Sequence, residues 1–399
     1  MKLAMTSCET GVTPYHTAIT ALRLGAHHFV MGGDDPYYNS GSTRFGYSTS
    51  PVSTSSTVTD VQNLVHQMFR KDGWKQLKVA KDAGNITVSW AGGDDHRWAD
   101  SADHTVESAL LGATGATTQA LVNSMAQVWY TAHRGLGNTY WNYPTAASLN
   151  SNNGDIPVAC YREGQTPSAS WFPVIYHYLD WGFGGVLGGR DIRVIVPDLI
   201  TYRSPLIDAD DEDKELFGPV QEAWIEAAIR EAWANNFKYI ILASSKKRFD
   251  GGIVGRYGTG ANSDTLDQYI TKFDGLMNRL DADGINGIIL MAGDRHTPQV
   301  NYARKGENGN TYNLLDVCGC PSGVEHNATG QQDNVNTIWT RSGPDKSGKG
   351  FNVFGWCEFT PEYATISIKD SVTGGDRWTC RVLPRSNEPI YTTTAVSRR

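Results

Sequence analysis

The sequence predicts an α/β fold in which a sheet is covered by helices. Three observations carry that prediction. Short apolar runs of strand length alternate with amphipathic helical stretches from residue 2 to residue 292. A helical stretch at 14–25 opens near Pro14 and closes on Gly25, the expected asymmetry of helix ends. Several strand-like runs stop at small or polar pairs: Gly32-Gly33, Gly92-Gly93 and Ser244-Ser245.

Taken in order, residues 2–7 read as a short buried strand, 14–25 as a helix and 27–31 as a second strand. A loop rich in serine and threonine spans 40–59. A helix is expected to start near Asp60, with Val61, Leu64, Val65, Met68 and Phe69 at helical spacing, and residues 86–91 form the next strand. A long helical stretch covers 104–133. After an Asn-rich loop the pattern repeats as strand 193–197, helix 219–234, strand 239–243, helix 266–280 and strand 285–292. The remainder turns to strands and turns, at 312–317, 351–359, 363–368 and 378–382, which predicts C-terminal β hairpins. The expectation is one domain over 1–385 and a mobile polar tail over 386–399. No internal repeat and no convincing linker interrupts it.

Composition narrows the function classes. Hydrophobic residues make up 40 % and charged residues 19 % of 399, a balance that supports a packed core rather than disorder. Lys and Arg total 35 against 42 Asp and Glu, a formal charge of −7. That sign disfavours a nucleic-acid scaffold as partner. No apolar run reaches the length of a membrane span. No secretory signal is visible at the N-terminus, so a cytoplasmic location is expected unless that end has been processed or the protein is released another way. Six cysteines are too few for a disulfide scaffold. Cys318-Gly319-Cys320 is read as ordinary thiols or one disulfide rather than a metal pair.

Ligand-type residues follow directly after the strands. Cys8 follows the first, Asp34 and Tyr37 the second, Asp94, Asp95 and His96 the third, and Asp294 and His296 the strand at 285–292. In an open α/β sheet, sites lie beyond the carboxyl ends of the strands, so these segments are expected to converge. Carboxylates crowded together cannot all stay ionised unless cations hold them. A multinuclear metal centre resolves the crowding. Thiolate, phenolate and imidazole suit a transition metal, whereas carboxylates suit a hard cation.

These motifs resemble, in order, those of the alkaline phosphatase D (PhoD-like) family: Ser7-Cys8, Gly33-Asp34-Asp35-Pro36-Tyr37, Asp94-Asp95-His96 and Gly293-Asp294-Arg295-His296. Asp198 to Arg203, Gly218-Pro219-Val220-Gln221 with Trp224-Ile225, and Leu242 to Ser245 are similar to further motifs of that family. The resemblance implies a calcineurin-like metallophosphoesterase fold, a two-sheet β-sandwich flanked by helices. It also implies Fe(III) beside Ca(II), or another divalent metal, and hydrolysis of phosphomonoesters or phosphodiesters, small or polymeric. Carried over, Cys8, Tyr37 and His296 resemble the iron ligands and Asp34 the bridging carboxylate. Asp95 and Asp294 resemble calcium ligands, and His96 the proton donor to the leaving group. Asp94 either joins the ligands or orients them from behind. Gly93 and Arg97 depart from the family's flanks of Asp-Asp-His, and Leu199 and Ile200 depart from its Asp-Thr-Arg motif. Val30 and Met31 stand where the family carries a phosphate-binding arginine. Those departures motivate the alternative of a non-catalytic, metal-stabilised binding or structural protein.

Other candidates fail. Gly343 to Gly350 lacks the Ser/Thr and the preceding strand of a phosphate-binding loop. The acidic run from Asp208 to Glu215 lacks the glycine and spacing of a calcium loop. Lys246-Lys247-Arg248 after a strand end reads equally as a solvated turn or as a face toward substrate. Asp198, Tyr202 and Arg203 read as structural.

Overall fold

The computed structural model describes residues 1–7, 16–33, 72–90, 155–157, 171–173, 176–199, 203–204, 208–246, 248, 266–293, 298–319, 336–340 and 352–391. In chain order the strands are β1 (Lys2–Thr6), β2 (His28–Met31), β3 (Thr87–Trp90), β4 (Asp155–Pro157), β5 (Trp171–Pro173), β6 (His177–Gly182), β7 (Val186–Leu187) and β8 (Ile192–Val196). They continue as β9 (Tyr239–Ser244), β10 (Ile288–Ala292), β11 (Gln299–Ala303), β12 (Leu314–Cys318), β13 (Thr337–Thr340), β14 (Val353–Phe359), β15 (Ala364–Asp370) and β16 (Asp376–Val382). The α-helices are α1 (His16–Arg23), α2 (Asp72–Asp82), α3 (Pro219–Ala234) and α4 (Ile270–Ala282).

Two large sheets result. The first has six strands in the order β16-β15-β14-β1-β2-β3, and the second eight in the order β13-β11-β12-β10-β9-β8-β6-β7. β1, β2 and β3 run parallel, as do β8, β9, β10 and β12. Antiparallel strands flank both parallel groups, and β14, β15 and β16 form the expected C-terminal hairpins.

Side-chain alternation fixes how the layers stack. On β8, β9 and β10, Val194, Ile241 and Ile289 join Leu3, Met5 and Val30 of the first sheet in one core between the sheets. Their neighbours Ile195, Ile240 and Leu290 face the other way, against Ile225 and Ile229 of α3 and Phe273 and Leu276 of α4. These strands are buried on both faces, which is why they read as continuous apolar runs. The molecule is therefore a β-sandwich flanked by helices.

The helix at 219–234 is found as predicted, with Pro219 at its start. The run at 266–280 opens as a 3-10 turn over Leu266–Tyr269 before α4 begins. β10 starts at Ile288 rather than 285, and Gly287 packs against the Arg385 backbone, where an added Cβ would lie 2.7 Å from the carbonyl carbon. The helices expected from Asp60 and over 104–133 fall outside the described residues. The chain from Ser386, expected as a tail, is held to the body at least to Ile390. Ile390 pairs with Arg381, and the Asn387 amide donates to the carbonyls of Ile288 (3.1 Å) and Asn313 (2.8 Å). Among the described residues no helix is long and apolar enough to cross a membrane.

Candidate active site at the strand ends

The expected site residues leave the C-terminal ends of four strands, and the structure shows how those ends meet. Thr6 of β1 pairs with Met31 of β2, and Met31 pairs with Trp90 of β3, so the three strands stop side by side. In the second sheet Ser244 of β9 pairs with Ala292 of β10, and Ala292 with Cys318 of β12. The Gly293 N–H then donates to the Ser244 carbonyl at 3.0 Å.

The two sheets close on each other at this end. A Cβ placed on Gly293 would lie 2.0 Å from the Gly32 carbonyl oxygen and 3.1 Å from Ser7 Cβ. A second contact of the same kind joins Gly319, just past β12, to Gly355 of β14, with 2.1 Å from the added Cβ to the Gly355 nitrogen. Sandwich sheets ordinarily stand ~10 Å apart to make room for side chains. Glycine removes the side chains here, so backbone meets backbone. Ser7, Gly32 and Gly293 precede Cys8, Asp34 and Asp294 by one or two residues, so these three segments start from a single junction. Beyond it, Gly33 adopts φ 102°, a backbone that side-chain-bearing residues rarely take, as the chain turns toward Asp34.

No protein-family model and no curated protein matches the sequence. Solved structures do. One described as the structure of PhoD superposes with a TM-score of 0.64 at 14 % identity, covering 99 % of this chain and 72 % of that one. A purple acid phosphatase, PPD1 from yellow lupin seeds, superposes with a TM-score of 0.50 at 10 % identity, covering 100 % of this chain and 57 % of that one. The fold is calcineurin-like.

Cys8, Asp34, Tyr37, Asp94, Asp95, His96, Asp294 and His296 themselves lie outside the described residues. Their strands are in place, and the calcineurin-like sandwich brings the β1, β2 and β10 ends to one point. Among the described residues no group of three or more His, Cys, Asp or Glu could hold a metal ion. By residue type, the three segments that start from the glycine junction offer thiol, carboxylate and imidazole side chains, the kinds of group that metal ions take.

Around the junction the chain buries polar groups that an apolar sandwich would not need. Ser244, Ser245, Lys246 and Arg248 follow β9 and are all buried, as is Asp316 on β12. The Arg248 guanidinium donates to Asp274 on α4 at 2.9–3.1 Å, and its backbone N–H donates to Asp316. Arg248 is thus committed to the helix layer, and the basic turn is not a solvated one at Lys246 or Arg248. Asp198 is buried too, its backbone exchanging hydrogen bonds with the Gln221 amide on α3, in keeping with a structural role. Cys318 is a buried free thiol whose Sγ donates to the Gly293 carbonyl at 3.7 Å.

Sequence reasoning missed a polar cluster between the sheets. His28 Nδ1 and Thr87 Oγ1 are 2.6 Å apart, and Ser89 Oγ and His177 Nε2 are 2.8 Å apart, all fully or nearly buried. Burial, then the neighbouring His177, push the His28 pKa down to about 3. The available signal was polar residues at inward positions of strands. It went unread because β6, which carries His177, was not recognised: His177 and Asp180 blur its alternation.

Proposed function

We propose that this chain is a metal-dependent hydrolase of phosphoesters. The observation that carries the reading is the junction of Ser7, Gly32 and Gly293, from which three of the donor-bearing segments start. The calcineurin-like fold shared with PhoD and a purple acid phosphatase supports it. In this reading Cys8, Tyr37 and His296 would hold Fe(III), Asp95 and Asp294 would hold Ca(II) or another divalent ion, Asp34 would serve both, and Asp94 would join these ligands or orient them from behind. Once bound, the metals supply Lewis-acid activation of water and screening of phosphoryl charge. The chain's own contribution is to fix the carboxylates at rigid strand ends and to present the His96 imidazole toward the departing oxygen. There His96 gives up its proton to the leaving alkoxide. No serine nucleophile is needed.

Metal content of Asp34→Asn and Asp294→Asn tests the assignment. Each variant removes a negative ligand from a crowded cationic site, so each is expected to lose metal and turnover while keeping the fold. The wild-type protein is expected to be coloured, because a phenolate on Fe(III) absorbs visible light. Full metal and full activity in both variants would remove these residues from the site.

A second reading, a metal-stabilised protein without turnover, draws on β2. Val30 and Met31 are fully buried there, in the place of the arginine that the resemblance leads one to expect.

A further inference from the structure

His28 on β2 is buried between the sheets, and its two ring nitrogens have different surroundings. Nδ1 lies 2.6 Å from Thr87 Oγ1 on β3, and that hydroxyl donates to the His27 carbonyl at 3.4 Å. The hydroxyl proton is thereby committed, so Nδ1 carries the imidazole proton and donates, and Nε2 is a bare acceptor. Nε2 has no partner among the described residues, and neither has the buried indole N–H of Trp181 on β6 in the facing sheet. The two rings lie 5.9 Å apart between centroids, inclined at 44°. A buried acceptor without a donor thus stands beside a buried donor without an acceptor, and the two are complementary.

A second imidazole crosses the same seam. His177 Nε2 on β6 lies 2.8 Å from Ser89 Oγ on β3, both fully buried. His177 is also the titratable group that acts on the charge of His28. On this side β1 places Leu3 and Met5, β3 Thr87 and Ser89, and β8 Val194 and Val196, none of which titrates. Asp180 of β6 is held by Arg193, which also donates to the Ala228 carbonyl in the helix layer. His27 packs against Gly185 and does not act on His28. Among the described residues a proton on His28 therefore meets a second imidazole and an indole N–H, and no carboxylate. The seam also lies at one side of the sandwich. β3 is the last strand of the first sheet, and β6 is followed in the second only by the two-residue β7. Strands at such a margin open at lower cost than central ones.

We propose that His28 with Trp181, and Ser89 with His177, form an acid-released latch, which holds β6 and β7 against the margin of β2 and β3 at neutral pH and lets that margin part first when His28 takes up a proton. Protonation turns the Nε2 acceptor into a second donor facing the indole N–H, with His177 beside it. While the seam is closed, burial first and His177 second keep the His28 pKa at about 3; once open, the imidazole returns toward 6.5. Each pH unit below 6.5 therefore raises the open population by up to about tenfold, the linkage of one proton.

Amide hydrogen exchange from about pH 7 to about pH 4, corrected for the intrinsic pH dependence of exchange, tests the latch. Protection in β2, β3 and β6 should fall by about 10- to 100-fold over that range, and at its acid end β9 and β10 should still exchange far more slowly. His28→Gln keeps a polar group that does not titrate, so protection of the same strands should change little with pH. Loss of protection in β2, β3 and β6 to the same level as β9 and β10 would mean global acid unfolding and would overturn the proposal. An equal fall in the Gln variant would overturn it as well. Should that variant fail to fold, the Trp181 indole N–H of the wild-type protein decides. Its 15N resonance, assigned as the one missing from Trp181→Phe, must shift or begin to exchange at a pH where the β9 and β10 amides are still protected. An indole resonance unchanged until the whole protein unfolds overturns the proposal.

Discussion

Gly293 rests against the carbonyl oxygen of Gly32, so close that a methyl group on Gly293 would lie 2.0 Å from it. Through this contact the end of β10 in one sheet and the end of β2 in the other become one rigid corner. Gly293→Ala must push the corner apart. We expect it to cost about 1–3 kcal/mol of stability, as overpacking does, and to lower metal content, because Asp34 and Asp294 start from the two sides of the contact. Gly275, inside α4, is the control. An added Cβ there meets only Arg279 Nη1 at 3.7 Å, so Gly275→Ala should stabilise the helix by about 0.5–1 kcal/mol. Urea denaturation of both variants checks the pair.

His28 predicts how stability depends on pH. Its folded pKa, about 3, lies below the ordinary value of 6.5 because burial and then His177 disfavour the imidazolium. The unfolded state therefore binds the extra proton first. The contribution is fully present above pH 6.5 and is lost as pH falls from 6.5 toward 3, with a slope of up to ~1.4 kcal/mol per unit. His28→Asn should flatten the stability curve between those limits relative to wild type. An unchanged slope would show that His28 does not carry it.

Arg193 crosses the boundary between β8 and the α3 layer. It donates to both Asp180 oxygens at 2.7 Å, to Glu231 at 2.8 Å and to the Ala228 carbonyl at 2.8 Å, and it stacks on Tyr178. Removing it leaves Asp180, whose pKa burial already pushes upward, without its cation. Arg193→Met should destabilise the fold by about 3–5 kcal/mol, and the double variant with Asp180→Leu should recover part of that loss. Melting curves of the single and double variants measure both effects.

Much of this fold was legible because its central strands are unusually plain. β8, β9 and β10 are buried on both faces and contain almost nothing but aliphatic residues, and α3 announces itself with Gly218-Pro219. The strands that sequence reasoning missed carry conflicting signals. β6 places His177 inward and Asp180 beside Arg193, and β11 buries Gln299 and Asn301 in positions that read as loop. β7 has two residues, too short for periodicity to register. Helix α2 has a thin apolar stripe, Trp74 and Leu77 among Lys75, Lys78 and Lys81. The expected site residues lie outside the described ones, and what the sequence shows of them is position: each follows a strand end. Their convergence was expected from that position, but the contact between Gly32 and Gly293 that joins the strand ends was not legible, because it links two different sheets and no local pattern encodes which sheet a strand enters.

His96 is expected to show its role through the leaving group. Removing a proton donor slows a reaction by about 100- to 10,000-fold where the departing oxygen needs the proton. His96→Ala should therefore impair an alkyl phosphoester fully and a nitrophenyl ester much less, at nearly unchanged metal content. Equal slowing of both substrates would make His96 a positioning residue, and loss of metal would make it a ligand.

The central claim, that this calcineurin-like sandwich is a metal-dependent phosphoesterase, is tested most directly by the rate of hydrolysis of a chromogenic phosphodiester before chelation, after chelation and after metal is restored. The account predicts turnover that disappears with the metal and returns with it. A metal-replete, folded protein with no turnover would contradict the claim, and so would one whose turnover survives complete removal of metal.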